Sequence, residues 1–433
     1  MRKTNVAGVL LFFMMVMSIA QHILEINLLW ISGSIAWLAA ILIAKRIGRG
    51  QRIQASILLG SGVAMMIFAL SRGGTISIEQ AIGQNQPILA MLAAVSFLRL
   101  IDRPVTTESI PIGKSAFFKT LFGLNLLSAA INITALIVVC DRLARQSPFT
   151  RLHGLMLGRA FGLTVMYSPF IGGMALTLSL LPEASLSRLA MFGIPYVLCG
   201  LIINAGLLYL ADKKMIRQFM GYPLRFDSLV FPVVLVIIVL IIHRVLPNFS
   251  VLALIALCAP ILTLVTVAYK ETGARAISNA GQHIVNTLPT MAGELWLFLA
   301  AGVFAAGITS LASSFNDWTL FSSFDVWAAC ITFGFILLFG VIGIHPIVCV
   351  SFLAAVLVPQ QPPQLLLAFV FIMGWAIGCM LSPFSGTNLI IQGRYGINNW
   401  SLTSGNLLYG SIMFVVGCGF LYLIDALLIY NKL

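Results

Sequence analysis

Long apolar runs separated by short polar segments make up almost the whole chain. Eleven of these runs approach the ~20 residues that an α-helix needs to cross a bilayer. We therefore predict an all-α integral membrane protein with about 11 transmembrane helices. The runs lie at about 6–21, 27–44, 53–71, 87–101, 154–181, 189–211, 228–246, 251–269, 288–311, 365–392 and 405–429.

Two further apolar runs, near 115–146 and 326–358, are interrupted at their middles by polar or helix-breaking residues. The first contains Ser128, Asn132 and Thr134, and the second contains His345. Non-helical backbone at membrane depth is tolerated only where it is buried in protein or lines a cavity. Both runs are therefore predicted to be re-entrant hairpins.

Two of the spanning runs, 154–181 and 365–392, carry matching interruptions with the sequence Ser-Pro-Phe. Proline removes a backbone donor and glycine lets the backbone turn, so each run should be a broken helix. The exposed N–H ends attract anions and the exposed C=O ends attract cations. Paired interruptions of this kind indicate a transporter binding site. The candidate substrate or ion ligands, hairpin tips included, are Ser128, Asn132, Thr134, Ser168, Pro169, Gly172, Gly173, His345, Ser382, Pro383, Ser385, Gly386, Thr387 and Asn388.

The order of these elements occurs twice along the chain. After an extra helix in 1–26, residues 27–211 contain three helices, a hairpin, a broken helix and a last helix. Residues 228–430 repeat that order, and a basic linker at 212–227 joins the halves. The repeats are predicted to have opposite orientation in the membrane, which is the architecture of many secondary transporters.

Composition and charge agree with this reading. The chain is 60% hydrophobic and only 9% charged, and its net charge of +12 comes from 25 basic and 13 acidic residues. Most basic residues fall in alternate linkers, such as 45–52 and 212–227. Under the positive-inside rule they place the N-terminus in the cytoplasm and the C-terminus outside a bacterial-type cytoplasmic membrane. We therefore predict contact with lipid and a small solute, not with nucleic acid.

No motif indicates an enzyme, a cofactor or a metal centre. The seven cysteines are scattered through apolar runs without CxxC spacing, and no nucleotide-binding motif is present. Neither hairpin tip nor either break contains Asp or Glu, which favours an anionic substrate, although a neutral solute stays open. The hydroxyl and amide oxygens of the second break suit Na⁺ as a coupling ion. A glycan polymerase or ligase remains an alternative, but it should have a large outer loop, and none is present.

The order of hairpins and breaks resembles the ion transporter superfamily. That group includes the divalent anion/sodium symporters, the citrate and arsenite carriers and the large subunits of TRAP transporters. Residues 128–135 look like its Ser-Asn-Thr hairpin tip, although Ile133 separates Asn132 from Thr134. Gly343–Pro346 departs from that pattern, whereas Ser382–Asn388 looks like the second broken-helix motif. The resemblance implies transport modules that move elevator-fashion against a scaffold, a homodimer and, in many members, Na⁺ coupling.

These observations predict a secondary active transporter of a small organic anion, such as a carboxylate, coupled to Na⁺ or H⁺. The alternative transport function is an efflux permease for arsenite or another small solute. Glu294 is an acid placed well inside a span, so it is a candidate for coupling. Arg159, early in a broken helix, could attract an anion or extend toward the membrane interface, and we expect the second.

Overall fold

The computed structural model describes residues 3–101, 110–222, 227–314 and 319–430. Within those ranges the chain is helical apart from turns and one isolated bridge between Ile112 and Met220. Nine helical segments in the described ranges are long and apolar enough to cross a membrane. The all-helical, multi-pass membrane class is thus confirmed, while the side of the membrane on which each loop lies stays a prediction.

The α-helices are numbered in chain order, and short 3₁₀ turns extend several of them. The first half contains α1 (Lys3–Leu24), α2 (Leu29–Ile43), α3 (Arg49–Ser71), α4 (Ile78–Gly83), α5 (Gln86–Ser96), α6 (Lys114–Ile131), α7 (Ile133–Gln146), α8 (Arg151–Gly162), α9 (Gly172–Leu180), α10 (Leu186–Ala211) and α11 (Lys213–Arg217). The second half contains α12 (Asp227–Val245), α13 (Val251–Lys270), α14 (Gly273–Asn286), α15 (Ala292–Ala312), α16 (Val326–Val341), α17 (Pro346–Leu357), α18 (Gln364–Leu381), α19 (Gly386–Tyr395) and α20 (Asn399–Ile429).

Every predicted span has a helical counterpart, but several boundaries differ. The span expected at 154–181 is absent from the nine because it is divided by its break. The span expected at 228–246 corresponds to the apolar part Val230–Val245 of α12. The polar stretch expected to link spans at 270–283 is instead helix α14, which is strongly amphipathic and buries Ala276 and His283. The polar loop expected at 72–86 contains α4. Arg2 and parts of the linkers around 102–109, 223–226 and 315–318 lie outside the described residues.

The chain divides into two compact units. The first unit comprises Met1–Arg103, Phe231–Leu320 and Ser351–Gln360. In it, α3 and α15 cross with Gly62 against Gly307, where an added Cβ on Gly307 would lie 2.4 Å from the Gly62 carbonyl oxygen. Small residues allow this close approach, which replaces the hydrophobic driving force that membrane helices lack.

The second unit comprises Pro104–Val230, Phe321–Val350 and Gln361–Leu433. It contains both predicted broken helices, the whole of the first hairpin and the turn of the second. Its most buried helix is α18, in which 15 of 18 residues are buried. A helix that is apolar on all sides and enclosed is a core helix, so the second break lies inside this unit.

Candidate functional site

The first break interrupts the chain between α8 and α9. A 3₁₀ turn at Leu163–Met166 follows α8, and α9 begins only at Gly172. Pro169 has no N–H and weakens the helix here, although Pro195 shows that a helix of this chain can continue through a proline. The facing hairpin turn is formed by Asn132, which ends α6 and begins α7 with a φ of 53°. A positive φ favours glycine, so Asn132 holds the turn in a conformation that is uncommon for a residue with a side chain.

Polar groups at the first break are largely satisfied by the hairpin that faces it. The Ser168 hydroxyl donates to the Ala129 carbonyl at 2.8 Å, and Asn132 Nδ2 donates to the Phe170 carbonyl at 3.4 Å. Gly173 packs beneath the Trp375 indole, where an added Cβ would lie 2.5 Å from its Cγ. The exception is Ser128, whose fully buried hydroxyl has no partner among the described residues.

The second break lies between α18 and α19. Ser385 begins α19 as its N-cap, and its hydroxyl accepts the Asn388 N–H at 3.3 Å. Asn388 Nδ2 turns back and donates to the carbonyls of Met380 at 3.2 Å and Ser382 at 2.9 Å. These bonds satisfy carbonyls that the broken helix would otherwise leave unpaired. One asparagine therefore fixes the shape of the second break.

Several groups at the second break remain available for a ligand. The Ser382 hydroxyl is fully buried and has no hydrogen-bond partner in the described part of the chain. The side-chain Nδ2 of Asn388 donates to two carbonyls, so its Oδ1 is left as an acceptor. An added Cβ on Gly386 would meet no atom within 4 Å, so this glycine borders open space. A buried polar group without a partner is costly, which suggests a ligand for Ser382.

The second hairpin turn meets the second break through apolar contacts. Gly343 has a φ of +101°, and an added Cβ there would lie 2.9 Å from the Phe384 ring. Beside it, His345 is 7% exposed and packs edge-on against Trp375 with ring centroids 5.4 Å apart. The Ile347 N–H donates to His345 Nδ1 at 3.1 Å, so the neutral ring carries its proton on Nε2. That N–H has no partner within the described ranges and can donate to a ligand.

Arg159 is buried, so the expectation that it extends to the membrane interface is wrong. It is 3% exposed, and its guanidinium donates to Asn406 Oδ1 at 2.7 Å, the Gly405 carbonyl at 2.7 Å and Asn204 Oδ1 at 3.2 Å. It also lies 4.7 Å from the centroid of the Tyr409 ring. The planar guanidinium can satisfy several neutral acceptors at once, which explains why it lies inside the fold.

A chain of hydrogen bonds connects Arg159 with the second break. Asn406 accepts from Arg159 and donates through Nδ2 to the Met380 carbonyl at 2.9 Å. The same carbonyl accepts from Asn388, so Arg159, Asn406 and Asn388 form one network. The acceptors of Arg159 are all neutral, so its positive charge is not cancelled within the described structure. The network thus connects a fixed cation, through Asn406, to the last turn of α18, which precedes the second break.

The predicted residues do not form a single cluster. Glu294 lies in the first turn of α15 and belongs to the first unit, whereas both breaks belong to the second unit. Thr134 is half-buried in the first turn of α7, and Thr387 is 8% exposed in α19. The sequence prediction missed Asn125, Asn204 and Asn406, all buried in the described structure. Their position inside apolar runs was the available indication, because amides are rare there unless they have a partner.

The described residues contain no group of three or more His, Cys, Asp or Glu side chains placed to hold a metal ion. All seven cysteines are free thiols. The candidate site therefore consists of neutral oxygens, one histidine N–H and a buried guanidinium.

Comparison with solved structures finds similar chains, and one of them is a membrane transporter. No protein family matches the chain, and no curated protein matches it. The crystal structure of the YdaH transporter of Alcanivorax borkumensis, described as having an unusual topology, aligns with a TM-score of 0.49 and 13% sequence identity. The alignment covers 87% of this chain and 98% of that one. The chain itself is a multi-pass, all-helical protein of membrane type with two broken helices gathered in one unit.

Proposed function

We propose that the protein is a secondary active transporter of a small organic anion of the carboxylate type. The observation that carries the proposal is the second break, where the Ser382 hydroxyl without a partner among the described residues, the Asn388 carbonyl oxygen and the uncrowded, half-buried Gly386 occur together. Broken helices with free polar groups in a membrane interior are typical of transport sites. Within this proposal the second break binds the solute or its coupling ion.

The charge of Arg159 supports an anion as the solute. A buried cation is expensive in a membrane protein unless an opposite charge compensates it. The described part of the chain gives Arg159 only amide and carbonyl oxygens. A negatively charged solute at the second break would lower that cost, and His345 Nε2–H offers it a hydrogen-bond donor. A cationic solute would meet repulsion there instead.

Coupling to Na⁺ fits the oxygens of the second break better than coupling to H⁺. Hard cations prefer hydroxyl and carbonyl oxygens, and Ser382 Oγ and Asn388 Oδ1 supply two of them. Because Pro383 has no N–H, the Cys379 carbonyl also lacks the donor that an intact helix would supply. A proton would need a titrating group, and His345 and Glu294 are the candidates for that alternative.

Alternating access would follow from movement of one compact unit against the other. In this proposal the unit with both breaks carries the solute, and the unit built on α1–α3 and α13–α15 is the scaffold of a homodimer. Spin labels at exposed Lys214 and Glu271, one in each unit, test the movement in a variant without native cysteines. Their distance distribution should change when solute and Na⁺ are added. An unchanged distribution during active transport would exclude the elevator mechanism.

A ligand screen tests the proposed function directly. Purified protein is heated with mono-, di- and tricarboxylates or arsenite, each with and without Na⁺. A ligand at 100 times its Kd stabilises the fold by about 2.7 kcal/mol, which raises Tm measurably. We expect one class of carboxylate to raise Tm, with Na⁺ strengthening the effect, and to be taken up by proteoliposomes. A response to arsenite alone would favour efflux, and no response to any solute would contradict the proposal.

A further inference from the structure

A cavity in the first unit lies apart from the residues assigned to transport. It has a volume of about 310 Å³ and opens where α2 ends and α3 begins. This volume is at the lower end of the ~300–1,000 Å³ typical of ligand pockets. Its lining residues are Ala44, Lys45, Ile47, Arg52, Ala55, Ser56 and Trp296.

The lining is basic and contains no acid. Lys45 and Arg52 are both exposed, and neither has an ion-pair partner among the described residues. Arg52 Nη2 bends back to within 3.5 Å of the Ala44 carbonyl and 3.4 Å of the Ile47 carbonyl, which holds the guanidinium near the mouth. The cavity can therefore bind a negatively charged group, and arginine and lysine both bind phosphate well.

The inner wall is apolar and fixed in position. Trp296 donates its indole N–H to the Ala40 carbonyl at 2.8 Å and packs edge-on against Trp37 with ring centroids 5.9 Å apart. A tryptophan whose N–H is already bonded presents mainly its apolar ring to the cavity. The ligand should therefore combine an anionic group with an apolar part.

Ile53 and Ile57 form an exposed apolar stripe on α3, beside the residues of that helix that line the cavity. Ile53 and Ile57 are 52% and 64% exposed and follow directly after the lining residues Arg52 and Ser56. Exposed isoleucines on a spanning helix face lipid chains. This stripe favours a phosphate that belongs to a lipid over a free phosphate ion.

We propose that this cavity binds the phosphate of an anionic phospholipid. Lys45 and Arg52 contact the headgroup phosphate, and the acyl chains lie along Ile53 and Ile57. Basic pockets between membrane helices are a known way to hold acidic headgroups. The inference does not depend on the proposed transport function.

The chain contains a matched control for this site. Arg46 and Arg49 belong to the same basic segment and are exposed, but they do not line the cavity. The double variants Lys45→Gln/Arg52→Gln and Arg46→Gln/Arg49→Gln therefore remove the same charge from the same linker. Only the first removes it from the cavity.

Native mass spectrometry measures retention of phosphatidylglycerol or phosphatidylcholine by the purified protein. We expect wild type and the Arg46/Arg49 variant to retain phosphatidylglycerol, and the Lys45/Arg52 variant to bind it about tenfold more weakly. Phosphatidylcholine and inorganic phosphate should compete poorly. Equal weakening in both variants would mean diffuse surface attraction and would overturn the proposal. Equal retention of phosphatidylcholine, or full competition by inorganic phosphate, would overturn it as well.

Discussion

The two helix breaks share the sequence Ser-Pro-Phe but use its serine differently. At the first break the Ser168 hydroxyl donates to the Ala129 carbonyl of the facing hairpin, while at the second the Ser382 hydroxyl has no partner among the described residues. Gly173 is covered by the Trp375 ring, whereas Gly386 borders open space. The hairpin of the first break thus bonds its serine, whereas the second break leaves its serine hydroxyl without a partner in the described part of the chain.

The difference shows how one repeated motif can serve two tasks. Polar contacts between the hairpin and the first break fix their relative position and occupy the groups that a ligand would need. At the second break the hairpin contributes Gly343, which packs against the Phe384 ring of the break, and the neighbouring His345. The backbone of the break is held by hydrogen bonds of Asn388 and of the Arg159 network. Satisfied polar networks rigidify a structure, so the second break is held in a fixed shape without a hydrogen bond to the Ser382 hydroxyl from the described residues.

The largest effect is expected from Arg159→Gln. The change leaves up to three buried acceptors at Asn406, Asn204 and Gly405 without their donor, at about 1–3 kcal/mol for each unsatisfied group. We expect Tm to fall strongly and uptake to be lost. Arg159→Lys is the matched control, because it keeps the charge but cannot reach all three acceptors. A wild-type Tm in both variants, measured by differential scanning fluorimetry, would show that the network does not hold the second break.

The next comparison pairs Asn388→Ala with Asn132→Ala. Asn388 donates to two carbonyls within the second break, so its loss should cost about 1–3 kcal/mol and abolish uptake. Asn132 makes one long bond to the first break and has a positive φ, so alanine there should destabilise the fold but leave transport. Asn132→Gly separates the loss of the bond from the strain, because glycine accepts that φ. Loss of uptake in folded Asn132→Gly would contradict the asymmetry.

Alanine at the two break glycines should have opposite effects. Gly173→Ala places a Cβ 2.5 Å from the Trp375 ring, and such overpacking costs about 1–3 kcal/mol. Gly386→Ala enters open space at the first residue of α19, so stability should be kept or slightly improved. We expect weaker solute binding by Gly386→Ala in the thermal-shift assay, because the methyl group occupies ligand space. Unchanged binding would mean that the solute lies elsewhere.

The smallest effect is expected from Ser128→Ala. The Ser128 hydroxyl makes no hydrogen bond within the described structure, so its removal should leave Tm unchanged. If the first break is closed, uptake in proteoliposomes should stay near the wild-type rate. A loss as large as that of Ser382→Ala would place both hydroxyls in one shared site and would weaken the comparison.

Much of the fold could be predicted from periodicity and from proline and glycine positions. The apolar runs coincide with every spanning helix, and the combination of proline with a following glycine marked both breaks. Proline alone would not have done so, because Pro195 and Pro260 lie inside continuous helices. Tertiary partners could not be predicted in the same way. Arg159 was expected at the interface, as a long charged side chain usually is. Its burial could not be foreseen, because its acceptors Asn204 and Asn406 lie 45 and 247 residues away along the chain.

The candidate site shows the same limit. The sequence alone favoured the second break because it carries more polar side chains, Ser385, Thr387 and Asn388, than the first break. It could not show that Ser168 is already bonded, because that depends on where the first hairpin packs. Helix α14 was missed because its polar face resembles a loop when its apolar face is not considered, although its apolar residues recur with helical spacing.

The most direct test of the central claim compares Ser168→Ala with Ser382→Ala, measuring Tm and solute-dependent Tm shift for each. Ser168→Ala removes a buried hydrogen bond, so its unliganded Tm should fall by the equivalent of about 1 kcal/mol while the solute still stabilises it. Ser382→Ala removes no hydrogen bond from the described fold, so its unliganded Tm should match wild type while the solute-dependent shift disappears. A full solute shift in Ser382→Ala, or its loss in Ser168→Ala alone, would contradict the assignment of the second break as the open site.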